Sequence, residues 1–176
     1  MRPGGGHSKG SSFERDMSKE LSLWWTNGES KNVFWRTHGS GAMGTRGGNV
    51  AECGDMMAIT EVGMPFTKKY HIEIRFSKAL DLGDILYNLP NSGIVSFINE
   101  SLLKAKHSNR IPILLFKEHK RPILLATFFE EWMEEEFKDK VMLDCKNYNM
   151  WLFVTWDSWK SSKALEYIRK GVENKV

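Results

Sequence analysis

Two carboxylates and a guanidinium stand where hydrolytic chemistry could be assembled. Asp55 opens a short apolar run, "GDMMAIT", and Glu73 lies in the middle of the next, "KKYHIEIRF". Pairing of those two runs as neighbouring strands would bring the carboxylates together. Such a pair makes an oxygen site for a hard divalent cation such as Mg2+, which takes few protein ligands and keeps several waters. A cation held there activates a water and offsets the charge of a phosphodiester. Arg75 projects to the same strand face as Glu73, where it can hold the attacking water or the phosphate.

The elements that must position these groups follow from periodicity. Alternation along "YHIEIRF" puts Tyr70, Ile72, Ile74 and Phe76 on one face, as a core face, and His71, Glu73 and Arg75 on the other. Each polar residue there also has an ordinary role: Asp55 can shape a turn after Gly54, Glu73 and Arg75 can pair across strands, and His71 reads as an exposed strand histidine. Parity places Lys78 on the opposite face from Glu73.

Upstream, "MRPGGGHSKG" reads as a flexible glycine-rich tail, residues 1–10, ahead of a single domain over 11–176. Phe13, Met17, Leu21 and Trp24 fall at helical spacing, with Ser11 and Glu14 as a capping box at the start. "NVFWRT" reads as a strand, "HGSGAMGTRGGN" as a flexible loop, and "EVGMPFT" as a connection of hairpin character. Further on, "LDLGDILYNL" and "GIVSFINESLLKAKHS" read as helices, and "IPILLFK" and "PILLATFF" as strands around the turn "EHKR". An acidic helix "EEWMEEEFKDK" with a solvated face, a buried aromatic strand "MWLFVTW" and a last helix "SKALEYIRKG" complete an α/β fold with a mixed sheet.

Bulk properties narrow the function. The 176 residues, 41% hydrophobic and 27% charged, suffice for one domain with a sizeable core. No run reaches the length of a membrane span and the start lacks the apolar centre of a signal peptide, so a cytoplasmic protein is expected. Cys53 and Cys145 are too few for a disulfide framework and read as reduced thiols, and the five histidines show no zinc-ligand spacing with them. The net charge of +3 is unevenly spread: 17 basic face 12 acidic residues up to Ala126, and 8 face 10 from Thr127 onward. The glycine loop lacks the "GK[ST]" ending of a phosphate-binding P-loop, so no nucleotide cofactor is expected.

"KGSSFER" at the first helix, Arg36 ahead of "GSG", the Gly54-Asp55 pair and "IEIR" at Ile72 to Arg75 stand in one order. That order resembles the archaeal-type Holliday-junction resolvases within the PD-(D/E)xK nuclease superfamily, and also uncharacterised nucleases of phages and mobile elements. The resemblance covers about the first half of the chain. It implies a restriction-endonuclease-like core, a mixed central sheet flanked by helices, and a Mg2+-dependent DNA endonuclease in which Mn2+ can substitute. Asp55 and Glu73 match the metal-binding carboxylates, Glu14 a helix glutamate that assists them, Arg15 a phosphate-contacting arginine and Ser40 a serine of the active-site loop. Arg75 stands where the family expects lysine. Arginine is no base at neutral pH, although it can orient water or stabilise developing charge.

In this reading Lys9, Arg15, Arg36, Ser40, Arg46, Lys68 and Lys69 contact DNA phosphates without reading sequence. The substrate implied is branched DNA, selected by shape and flexibility, and the assembly a two-fold homodimer in the cytoplasm of a bacterial or phage-infected cell. The alternatives are a nicking or restriction-like nuclease, or a catalytically decayed DNA-binding protein with Arg75 as the mark of decay.

Overall fold

A computed structural model describes residues 5–37, 54–78, 84, 93–144 and 150–173. In chain order the elements are α1 (Gly5–Trp25), β1 (Phe34–Arg36), β2 (Met56–Ala58), a 3-10 turn (Glu61–Gly63), α2 (Met64–Lys69) and β3 (Tyr70–Ser77). There follow α3 (Gly93–His107), β4 (Ile111–Glu118), β5 (Ile123–Phe128), α4 (Met133–Glu136), β6 (Val141–Asp144), β7 (Met150–Thr155), α5 (Trp156–Ser161) and α6 (Ala164–Glu173).

Five strands make the main sheet in the order β3-β4-β5-β7-β6, with β1 and β2 as a separate antiparallel pair. β3 and β4 run parallel, Tyr70 opposite Ile111 through Ser77 opposite Glu118, and every other neighbour is antiparallel. A parallel pair needs a crossover, and α3 lies within it. The sheet is therefore mixed, as the sequence indicates.

Helices cover both faces. Tyr70, Ile72 and Ile74 of β3 join Ile113, Leu115, Leu125, Leu152 and Val154 under Met17, Leu21, Trp24 and Trp25 of α1 and Trp156 and Trp159 of α5. Phe66 of α2 is fully buried in this layer, its ring 5.0 Å from Tyr70, 5.1 Å from Trp25 and 5.5 Å from Phe34. On the other face Leu114, Phe116, Ala126, Trp151 and Phe153 meet Ile94, Val95, Phe97, Ile98 and Leu102 of α3. The alternation in "MWLFVT" thus sends its aromatics to one layer and its aliphatics to the other, and the strand is buried on both sides.

A hydroxyl stripe fixes α1 against β1. Ser18, Ser22 and Thr26 recur at i, i+4 and donate to the carbonyls of Glu14, Ser18 and Ser22. Ser22 Oγ also accepts from the backbone N–H groups of Val33 and Phe34 at 3.2 and 3.0 Å, tying β1 to the buried side of the helix.

Four expectations are corrected. Helix α1 starts at Gly5, within the segment read as a tail, and Ser11 is consequently helical rather than a cap; once a docked helix exists, each added residue gains a bond without a new nucleus. The "EVGMPFT" connection is a 3-10 turn followed by α2, not a hairpin, because Pro65 sits in the first helical turn, where its missing N–H costs nothing. The acidic segment forms only the short helix α4, since its glutamates repel one another at helical spacing while Met133 and Phe137 are drawn into the core. Strand β6, unforeseen in the sequence, pairs with β7. The loop "HGSGAMGTRGGN", Cys53, Cys145 and most of "LDLGDILYNL" lie outside the described residues. Among the described residues no helix is long and apolar enough to cross a membrane.

Candidate active site

An ion pair followed by backbone hydrogen bonds leads from α1 to the flank of β3. Glu14 of α1 pairs with Arg36 of β1, Oε2 to Nε 3.2 Å. The next residue, Thr37, donates its N–H to the Asp55 carbonyl at 3.0 Å. Asp55 in turn donates its N–H to the Ile72 carbonyl at 2.9 Å, and its Oδ2 accepts from the Ile74 N–H at 2.8 Å. Asp55 therefore grips the two residues on either side of Glu73. Phe13 against Phe76, ring centroids 6.2 Å apart, holds α1 to the end of β3.

Gly54 makes this approach possible. Its φ is +102°, and a Cβ there would lie 2.9 Å from the Ile72 carbonyl oxygen and 3.4 Å from the His71 ring. Both the left-handed conformation and the backbone contact exclude a larger residue. Gly54→Ala is expected to destabilise the fold by about 1–3 kcal/mol and to displace Asp55, measured as a lowered unfolding midpoint in denaturant.

The other side of Glu73 is set by α3. Strand residues at i+2 advance about 6.6 Å and helix residues at i+4 about 6.0 Å, so the two elements can face each other pair by pair. They do: Arg75 meets Phe97 and Glu100, Glu73 meets Lys104, and His71 meets Ser108. Lys104 Nζ donates to both Glu73 oxygens, at 3.1 and 3.0 Å. His71 Nε2 lies 3.0 Å from Glu73 Oε1. The Arg75 guanidinium stacks 4.5 Å from the Phe97 ring centre and donates to the Gly93 carbonyl at 3.2 Å.

Glu73 is 4% exposed. Burial pushes its carboxyl up, but the hydrogen bond from His71 and the charge of Lys104 outweigh it and hold it below the usual carboxylate range. It is thus ionised at neutral pH. A depressed folded-state value contributes stability that is present above the unfolded carboxylate value and lost as pH falls through the folded one. The midpoint of thermal unfolding is expected to drop below about pH 4 more steeply in the wild type than in Glu73→Gln, by calorimetry across pH 3 to 7.

Of the residues singled out in the sequence, Glu14 and Arg36 are joined by an ion pair, and Asp55 bonds the backbone on either side of Glu73. Arg75 lies on the same strand face but is engaged by α3. Lys68 and Lys69 close α2 just ahead of β3, with the Lys69 ammonium 5.2 Å from the Tyr70 ring centre. Arg15 and Lys78 are exposed. Ser40, Arg46 and the Lys9 side chain lie outside the described residues.

Two residues change the sequence reading. His71 is fully buried rather than exposed, because α3 covers the polar face of β3. Lys104, not anticipated, brings an ammonium to Glu73 from 31 positions away. The only trace of it in the sequence is the stripe Glu100, Lys104 and Ser108 at i, i+4 spacing on a helix whose other face is apolar.

Among the described residues no three His, Cys, Asp or Glu side chains gather as a ligand cage. Asp55 and Glu73 still suit a hard cation that keeps most of its waters, since both donors are carboxylate oxygens and Glu73 is ionised. A five-strand mixed sheet flanked by helices on both faces is consistent with a PDDEXK nuclease-like core. The chain belongs to the family described as "Phage putative PDDEXK endonuclease", whose model matches residues 5–170. That match extends beyond the first half, through the acidic segment and the tryptophan-rich end. No curated protein and no solved structure gives a significant match.

Proposed function

We propose that the protein is a Mg2+-dependent DNA endonuclease acting on branched DNA, with Asp55, Glu73 and Lys104 as the core of its site. The observation that carries this reading is the Lys104 ammonium within 3.1 Å of both oxygens of a buried, ionised Glu73, beside the Asp55 turn. Asp55 and Glu73 would hold the cation, with help from Glu14; when bound it supplies an activated water and offsets phosphate charge. Lys104 moves from the Glu73 oxygens to orient the attacking water or to donate to a non-bridging phosphate oxygen. In-line attack by water would form one P–O bond as the opposite one breaks, the attacking water giving up its proton to solvent and the leaving oxygen taking one from solvent. Arg36, Arg15, Lys9, Ser40 and Arg46 would contact the phosphate backbone on the α1 side, and Lys68 and Lys69 just ahead of β3.

Lys104 also reassigns Arg75. An ammonium at Glu73, where the family expects a lysine to act, supports reading Arg75 as a buttress held by Phe97 and the Gly93 carbonyl rather than as a mark of decay. Arg75→Lys is therefore expected to leave cleavage within about tenfold of wild type rather than to raise it. A large gain in single-turnover rate would restore the weakened-enzyme reading.

Branched-DNA preference and a two-fold dimer rest on the resolvase resemblance, and they are tested together. Labelled four-way junction, flap, single-stranded and linear duplex DNA are incubated with Mg2+ or Mn2+ and wild type or Asp55→Asn. Symmetric junction cutting that Asp55→Asn abolishes supports the resolvase-like reading. Preferred cutting of linear duplex supports a nicking or restriction-like enzyme, and binding without cutting any substrate supports a DNA-binding protein.

A further inference from the structure

His71 has no part in the reading above, yet it is the most enclosed polar side chain of the site, with 0% exposure. Three separate parts of the fold converge on its ring. Nε2 points at Glu73 Oε1, 3.0 Å away. Nδ1 faces the Ser108 hydroxyl at 3.5 Å, and that hydroxyl is itself tied to the Ala105 carbonyl at 3.1 Å. The ring edge lies under Gly54, where an added Cβ would stand 3.4 Å from Cε1. One imidazole thus touches the turn that aims Asp55, the carboxylate of Glu73 and the C-terminal end of α3.

The hydrogen on Nε2 follows from its partner. An ionised carboxylate only accepts, so the ring nitrogen facing it must donate. Lys104 also donates to Glu73, but it is attached by a long, half-exposed side chain and must leave at least one oxygen when a cation or phosphate arrives. His71 is enclosed and has nowhere to go. Of the two donors, it is the one that persists.

We propose that His71 is a positioning residue for the divalent-cation site: its Nε2–H pins Glu73 Oε1 so that the carboxylate keeps its orientation while Lys104 exchanges with the incoming cation. This rests on Glu73 being a cation ligand. Groups that hydrogen-bond to a liganding carboxylate commonly affect metal affinity 10- to 100-fold. A core histidine that merely fills space would affect stability alone.

The test is Mn2+ binding to the DNA-free full-length protein by isothermal titration calorimetry, alongside unfolding midpoints. His71→Gln carries an amide donor near the place of Nε2, whereas His71→Asn carries it near Nδ1 and His71→Leu has none. The expected result is that Asn and Leu weaken Mn2+ binding by about 10- to 100-fold, while Gln stays close to wild type. The Asn and Gln proteins, equally polar in the core, decide the matter even where Leu does not fold. Wild-type Mn2+ affinity in Asn, with Glu73→Gln losing it, overturns the positioning role and leaves the Glu73 site standing. Wild-type affinity in Glu73→Gln itself overturns both.

Discussion

Replacing Glu73 with glutamine is expected to lower DNA cleavage by about 10³-fold or more, equivalent to about 4 kcal/mol of transition-state stabilisation. The substitution keeps shape and one acceptor oxygen, so His71 retains a partner. It removes the charge that Lys104 and a cation both require. Its stability cost is smaller, about 1–3 kcal/mol, because the half-exposed Lys104 can return to water. A chevron or equilibrium urea curve run beside the cleavage assay separates the two effects. Loss of cleavage in a protein that still unfolds cooperatively places the effect at the site. Cleavage within tenfold of wild type would remove Glu73 from the mechanism.

Lys104→Met should lower cleavage by about 10²–10³-fold through a different route. Methionine retains the apolar stem and deletes the ammonium. The ammonium bonds both Glu73 oxygens in the absence of a cation, so it competes with the cation for them. Its removal should therefore leave Mn2+ affinity equal to or tighter than wild type while the cleavage step slows. Glu73→Gln loses cleavage and cation binding together, and Lys104→Met loses cleavage alone. Should Lys104→Met cut as fast as wild type, the ammonium would be a structural counter-charge, and Arg75 would return as the cation of the reaction.

The contrast between those two residues marks the boundary of what the sequence disclosed. Glu73 and Asp55 were legible because strand alternation and a glycine-preceded turn are local patterns, and the opposite faces of "YHIEIRF" form as alternation requires. Even so, Asp55 comes beside Glu73's strand by a route different from the hairpin that the sequence implied. Residues 61 to 69 coil into a turn and a helix, and Asp55 reaches the flank of β3 through its own N–H and carboxylate. Lys104 and the burial of His71 were not legible, since both depend on how α3 lies across the parallel β3–β4 pair. That placement arises from packing at long range, where the near-match between two strand residues and one helical turn aligns Glu73 with Lys104. A lysine on a helix surface carries no mark of its own to distinguish it from a solvated charge.

The acidic segment gives the same lesson in reverse. Its charge pattern announced a helix, but only Met133–Glu136 coils, while Phe137 is buried against Trp159 with rings 5.5 Å apart. Apolar anchoring decided the backbone there, and the charges took what exposure remained. The family match through residue 170 includes this part of the chain, which braces the face of the sheet opposite α3.

Cation-dependent cleavage through Lys104 is tested by single-turnover cutting of end-labelled DNA, junction and duplex, after EDTA treatment and across a Mg2+ titration. Wild type, Lys104→Met and Arg75→Met are compared at saturating protein. No cutting is expected without the cation, saturable cutting with it, a loss of about 10²–10³-fold in Lys104→Met and a smaller loss in Arg75→Met. Cutting that persists in EDTA, or that survives Lys104→Met and disappears in Arg75→Met, would contradict cation-dependent cleavage through Lys104.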